Sequence, residues 1–338
     1  MNKRVMMNKV DAVMQVLPRR KKNVTARLAL TLIFAGFFQN ALAAYPEKAI
    51  YFIVPFAPGG PVDATMRLVG NAMSKSVGKS VVVDYKAGAN SIIGTEHVAK
   101  SAPDGYTILV MTPSLAINAA LMDKLPYDSL NDFAPITMLA TTPFMLTAHP
   151  ALPANTIKEL IAFGKSKPGY LNFAVGGAPS QMTAELFRSL ADMKVTFVPY
   201  KGAGPAFADL VAGQVHLLFS SSVGSLPFIK SGRLKALSVT GLQRTFVAPD
   251  VPTVAESGFP GFEASSWFGL MAPAKTAKPI VDKLQQEVAA ALKTPEVMSI
   301  LATQGADAGG MKPEEFGAYF RGEFEKWGKV IRTSGIKF

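Results

Sequence analysis

The chain has 338 residues, 49% of them hydrophobic, and a formal charge of +11; this is enough for two ordinary domains with real cores and excludes a disordered chain. Eight of the Lys/Arg residues and one acid fall in residues 1–43, leaving only +4 on the rest, so the charge marks no nucleic-acid partner. Cysteine is absent, which excludes a disulfide framework and a thiol nucleophile.

In chain order, a basic stretch ending at Arg27 leads into the apolar run LALTLIFAGFF (28–38) and then Ala41-Leu42-Ala43. These are the three parts of a secretory signal peptide over 1–43, with cleavage expected after Ala43. An 11-residue run is too short for a bilayer core that needs about 20 residues. The mature protein is therefore expected in the periplasm.

Beyond it, short β-branched runs alternate with amphipathic segments. Strands are predicted at Ile50–Phe56, Val81–Tyr85, Tyr106–Met111, Phe144–Ala148, Leu171–Val175, Val195–Pro199, Val215–Phe219, Ala236–Thr240 and Phe268–Ala272. Helices are predicted at Val62–Ser76, Glu96–Ser101, Ile157–Lys167, Gln181–Ala191, Ala206–Ala212, Leu226–Ser231, Ile280–Lys293, Pro295–Gln304 and Pro313–Thr333. Thr156 followed by Glu159 reads as a capping box, and Lys312-Pro313-Glu314-Glu315 as a helix start. The alternation predicts an α/β fold with mostly parallel sheets and helices on both faces. Since the last third holds helices and little strand, one domain is expected to be discontinuous, 44–142 plus 267–338, around a second at 143–266. The crossings fall near Thr141-Thr142-Pro143 and before Phe268, and two short crossings make a hinge.

Enzyme signatures fail. Val77-Gly78-Lys79-Ser80 resembles the tail of a phosphate loop, but the glycine required five positions before Gly78 is Met73. No G-x-G-x-x-G follows a strand and no G-x-S-x-G occurs. His97, His149 and His216 are scattered singly, so no metal, cofactor or catalytic residue is expected.

What remains is a series of small-residue loops at the C-terminal ends of strands, where open α/β sheets bind ligands. They are Ala57-Pro58-Gly59-Gly60, residues 87–91 with Ala89 and Asn90, residues 112–118 with Thr112, Ser114 and Asn118, Gly176-Gly177-Ala178-Pro179-Ser180, and Tyr200-Lys201-Gly202-Ala203-Gly204. Several open helices, whose N-termini favour anions. Asp63 in a first helical turn reads as a cap or as a ligand group. Lys201 reads as an anion partner or a rim residue, and Tyr200 and Trp267 as pocket wall or core. Such a cleft suits a small carboxylate and offers no nucleophile, base or metal.

The stretches VPFAPGGPVDATMR, VPYKGAGPAFADLVAGQV (198–215) and PFIKSGRLKALSVTGLQRTFVAPDVPTVAESGFPGFEASSWFG (227–269) resemble the Bug-type extracytoplasmic solute receptors of tripartite tricarboxylate transporters. The resemblance runs from about Tyr45 to the C-terminus. It implies a two-domain periplasmic binding protein fold, monomeric, that closes on a small carboxylate and hands it to a membrane permease. The ligand would be held, partly through ordered water, by Ala57, Pro58, Gly59 and Gly60 on one side and Gly177, Ala178, Pro179 and Ser180 on the other, with residues 112–118 as wall. Two departures stand out. The family's usual histidine near the start of the helix after Gly177 is here Ser180 or Gln181, and the acid many relatives carry seven residues before Pro227 is here Ser220. Ser220 shifts the expected ligand toward a neutral or purely anionic far end. The competing readings are an exported enzyme using Asp63 or Glu185 as base, and a receptor that signals through a membrane sensor.

Overall fold

The sequence IYFIV at Ile50–Val54 forms β1, buried at all but its second position because both faces of this strand are covered. In the computed structural model, which describes residues 45–334, β1 lies inside one ten-stranded sheet. The signal-peptide segment falls outside the described residues.

Parallel pairing joins β1 to β2 (Val81–Tyr85) and to β3 (Thr107–Met111). At the far end β5 (Asn172–Val175) pairs in parallel with β6 (Thr196–Pro199) and β7 (Leu217–Ser221). Between them runs β4, Phe133–Ala148, a 16-residue strand. Its first part, Phe133 to Pro143, pairs antiparallel with β9 (Ser265–Pro273), which in turn pairs antiparallel with β3. Its second part, Phe144 to Ala148, pairs antiparallel with β7 and with β8 (Lys235–Val239). A two-residue β10, Asp307–Ala308, adds to the first part. The mostly parallel pairing expected from the sequence therefore describes the outer strands and gives way to antiparallel pairing at the centre. The cause is that β4 and β9 carry the chain from one half-sheet to the other and back.

Two α/β lobes result. The first holds α1 (Pro61–Val77), α2 (Ile92–Ala99), α3 (Ser114–Leu121), α8 (Lys278–Leu292), α9 (Pro295–Thr303) and α10 (Pro313–Ser334). The second holds α4 (Ile157–Ser166), α5 (Ala178–Ala191), α6 (Ala203–Val211) and α7 (Ser222–Lys230). Each has its own core. Ile53, Leu109, Met111, Trp267, Phe316 and Phe320 cluster in the first, and Leu146, Phe173, Phe187 and Phe219 in the second. Full burial of each such side chain contributes about 1.5–3 kcal/mol.

Local signals explain the ends of several helices. The Thr156 hydroxyl accepts from the Glu159 amide at 3.1 Å while Glu159 accepts from the Asn155 amide at 2.7 Å, which starts α4. Glu315 accepts from the Lys312 amide at 3.1 Å at the start of α10. One expectation needs correction: residues 114–121 are a helix and not a loop. Of the two roles open to Trp267, core or pocket wall, the structure gives it the core. Its indole is fully buried, set edge-on to Phe316, Tyr319 and Phe320, and donates to Glu323 at 3.1 Å.

Candidate functional site

The loop after β1 is built around Asp63. Its carboxylate accepts from the Gly59 amide at 2.8 Å and from Arg67 Nε at 2.7 Å, one turn along α1. Tyr85 at the end of β2 donates to the same carboxylate at 2.5 Å and accepts from Arg67 Nη2 at 2.6 Å. Burial pushes the Asp63 carboxyl up, but the bonds from Tyr85, the Gly59 amide and Arg67 outweigh it and hold the group below the ordinary carboxylate range. Burial, with Asp63 beside it, pushes the Tyr85 phenol up to about 12. Asp63 thus braces the glycine loop, and its oxygens are committed.

Across from this loop lies the turn from β6 into α6, and the two meet backbone to backbone. The Ala57 amide donates to the Lys201 carbonyl at 2.7 Å. A Cβ on Gly204 would run into the carbonyl of Pro58, so this approach admits only glycine. Gly177 at the start of α5 has φ 147°, and a Cβ there would lie 3.3 Å from the Phe56 ring. The edge of the Phe56 ring therefore sits close against a backbone without a side chain.

Between these loops are two adjoining cavities that share Phe56, Gly176 and Gly177. The first, about 60 Å³, is lined by Ala57, Gly60, Asp63, Thr112, Ser114, Gly177, Pro179, Ser180 and Ser220, each a residue that the sequence put forward. Its other walls are Phe56, Phe144, Phe219 and Phe268, with Ser221 and Ser266. The second, about 200 Å³, takes Ala89, Asn90, Ser91, Tyr200 and Lys201. Here Ala89, Asn90 and Ser91 all have positive φ, 45°, 51° and 77°, a conformation that costs non-glycine residues about 1–2 kcal/mol each. Asn118 holds it, donating to the Asn90 carbonyl at 2.8 Å and accepting from the Asn90 amide side chain at 2.9 Å.

Not every expected residue reaches a cavity wall. Asn118 is buried in α3 and acts through Asn90; Ala178 packs in a small core with Ile117, Met182 and Ile331. Pro58 and Gly59 lie at the exposed rim. The Ser180 hydroxyl donates to the Phe219 carbonyl at 2.7 Å, and the Tyr200 hydroxyl to Asp209 at 2.6 Å. Glu185 lies along α5, where its carboxylate takes a fork from Arg188 at 2.9 and 2.6 Å. The phenylalanines and Ser221 went unread, because a strand's sequence does not say which of its ends meets a partner lobe. The signal that was available is the run Ser220-Ser221-Ser222, two hydroxyls closing an otherwise apolar strand and a third opening the next helix.

Five helix N-termini abut the first cavity: α1 through Gly60 and Pro61, α3 through Ser114, α5 through Gly177 and Pro179, α6 through Ala203, and α7 through its cap Ser221. Each brings a partial positive charge. Its lining contains no Lys, Arg or His. Among the described residues no group of three His, Cys, Asp or Glu is placed to hold a metal, and no helix is long and apolar enough to cross a membrane.

Two α/β lobes joined through one long strand, with ligand-sized space between helix N-termini, are the architecture of a periplasmic binding protein. The chain matches the model of the tripartite tricarboxylate transporter family receptor over residues 65–336 and belongs to that family. The Bordetella pertussis protein BugT is 37% identical over 323 residues, covering 93% of this chain and 99% of BugT. The solved periplasmic binding protein BugD is 34% identical with a TM-score of 0.84, and an R. palustris protein solved with adipate is 33% identical with a TM-score of 0.83; each match covers 87% of this chain and 99% of the other.

Proposed function

We propose that the mature chain, released after Ala43 into the periplasm, captures a small organic carboxylate between its two lobes. As a monomer it then delivers the ligand to the large and small membrane subunits of a tripartite carboxylate transporter. Residues 44–142 with 267–338 move as one domain and 143–266 as the other, hinged at Thr142-Pro143 on β4 and at the chain before Trp267. The observation that carries this reading is the convergence of five helix N-termini, contributed by both lobes, on one cavity without a cationic side chain. Aligned dipoles favour an anion there at about 0.3–1 kcal/mol each, and ordered water completes its coordination.

Ligand contacts fall to the Ala57–Gly60 loop, Thr112 and Ser114 on one side and to Gly177, Pro179, Ser180 and Ser220 on the other. The R. palustris relative solved with adipate fits the same ligand class. The enzyme reading loses support for its candidate bases, since Asp63 and Glu185 are both held by arginine and Glu185 is not among the cavity's lining residues. The test is a thermal-shift screen of the mature chain against mono-, di- and tricarboxylates. Saturable stabilisation by at least one acid without turnover is expected, and at a hundred times Kd it should reach about 2.7 kcal/mol. Stabilisation by none, or consumption of one, would overturn the reading.

A further inference from the structure

We propose that the end of the second lobe opposite the cleft is an acid-sensitive clamp, which holds the start of β5 only while the imidazole of His216 is uncharged. Strands β5 and β7 run side by side from this end to the first cavity, where β5 leads into Gly176 and Gly177 and β7 ends in Ser220 and Ser221. Asn172, the first residue of β5, is bound twice to His216, the residue before β7. Its carbonyl accepts from the His216 amide at 3.0 Å, and its own amide donates to His216 Nδ1 at 3.0 Å. A backbone amide can only donate, so Nδ1 must keep its lone pair and the single proton of the neutral ring belongs on Nε2. A second proton goes to Nδ1, turns the acceptor into a donor and leaves two N–H groups facing each other.

The surroundings offer an imidazolium no anion. Tyr170 lies against the half-buried ring at 4.8 Å between centroids, with the Lys167 ammonium 5.3 Å from the Tyr170 ring. From the end of β4 comes His149, whose amide donates to the His216 carbonyl at 3.3 Å and whose Nδ1 accepts from the Ala151 amide at 3.2 Å. Lys235 of β8 fastens the same turn, donating to the Pro150 and Leu152 carbonyls at 3.4 and 2.5 Å. The acids on the helices around these strands are occupied: Glu159 on α4 accepts from the Asn155 amide, Glu185 on α5 from Arg188, and Asp209 on α6 from Tyr200. Before β6, Asp192 lies 3.7 Å from Lys165, and Lys194 accepts from the Gly169 amide through its carbonyl. Burial, with His149 beside it, holds the His216 imidazole below the ordinary histidine range.

A folded value below the unfolded one near 6.5 leaves stability complete above that pH and lowers it as acid protonates the unfolded chain first. Acid thereby loosens, from its base, the strand that carries Gly176 and Gly177 to the cavity. The test is urea unfolding of the mature chain between about pH 7.5 and about pH 5.5, wild type against His216→Asn. The asparagine oxygen can stand in for Nδ1 but takes up no proton in this range. The unfolding constant of the wild type should rise on acidification by up to about tenfold more than that of His216→Asn, the linkage of one proton. The chain's other histidines, His97 and His149, remain in both proteins, so the difference isolates His216. His216→Leu, without an acceptor, should be the least stable of the three at neutral pH and show no excess loss in acid. In the wild type, nitrogen-15 NMR should find His216 as the Nε2–H tautomer titrating below about 6.5. Protection of the Asn172 amide from hydrogen exchange, corrected for the intrinsic rate, should fall with that titration. A proton on Nδ1 of the neutral ring, titration at or above the ordinary value, or equal acid losses in wild type and His216→Asn would each overturn the clamp. The NMR arm needs no variant, so it decides even where a substitution prevents folding.

Discussion

Both carboxylate oxygens of Asp63 are engaged before any ligand arrives, which makes this acid a positioning residue for the Gly59 amide. Replacing it with Asn leaves Arg67 and Tyr85 without their anion, and charge-assisted bonds of this kind are each worth about 1.5–3 kcal/mol. Asp63→Asn should therefore lower stability by about that much at neutral pH, read as a fall in denaturation midpoint, and weaken ligand binding. The folded value of this carboxyl lies below its unfolded value near 3.8. Its contribution is then complete above that pH and fades as acid drives protonation through the lower folded value. The stability gap between wild type and Asp63→Asn should accordingly close as the pH is taken below about 4. A gap that stays constant from pH 7 to pH 3 would show that the charge does not matter. Glu323 plays a comparable part in the first lobe, where it accepts from the indoles of both Trp267 and Trp327 at 3.1 Å. Glu323→Ala leaves the buried Trp267 N–H unpaired and should cost about 1–3 kcal/mol in chemical denaturation without changing the ligand preference.

Elements were legible in the sequence where period and punctuation agreed. The run at β2 and the capped start of α4 appear as read, because a β-branched run and a Thr-x-x-Glu pair are local properties. The first part of β4 did not announce itself. Pro135 and Pro143 interrupt it, and its pairing with β9 shifts register twice, between Pro135 and Thr137 and between Met138 and Ala140, so no clean period of two survives. Nor did α3, whose sequence SLAINAAL is small and apolar nearly throughout because its first five residues are buried. At the site, the loops were legible as glycine-rich turns after strands. Their encounter was not, since nothing local says that Gly204 of one lobe will face Pro58 of the other. That encounter is testable in its own right. Gly204→Val drives a side chain into the Pro58 carbonyl, so on the proposed reading, in which the ligand is held between these loops, ligand affinity should fall at least tenfold, the equivalent of about 1.4 kcal/mol.

At the scale of the molecule, the two crossings are fastened to each other. Thr240 accepts from the Phe144 amide at 2.9 Å and donates to the Ala264 carbonyl at 2.5 Å, so one side chain bridges the outgoing and returning strands. Beside it the hydroxyls of Thr142 and Ser222 lie 2.6 Å apart, and Ser222 donates to the Gly305 carbonyl at 3.0 Å. These bonds tie together the two crossings that the proposed function makes its hinge. Small-angle scattering on the mature chain should show a smaller radius of gyration with a stabilising acid present than without it. The same addition to Gly204→Val should produce no shrinkage.

The path of β4 and β9 also has a consequence for how the molecule is made. A chain that emerges N-terminus first presents β1, β2 and β3 early, but the neighbour that covers the open edge of β3 is β9, near the other end of the sequence. The stretch from Phe144 to Ala264 is continuous in sequence and contains both members of each pair among the second part of β4 and β5 to β8. The first lobe must wait with an unpaired edge until β9 arrives, and until α10 packs against α3. Unpaired edges invite association with other chains. The segment that pairs with the open edge of β3 is thus among the last to emerge, and it closes the half-sheet that was first begun.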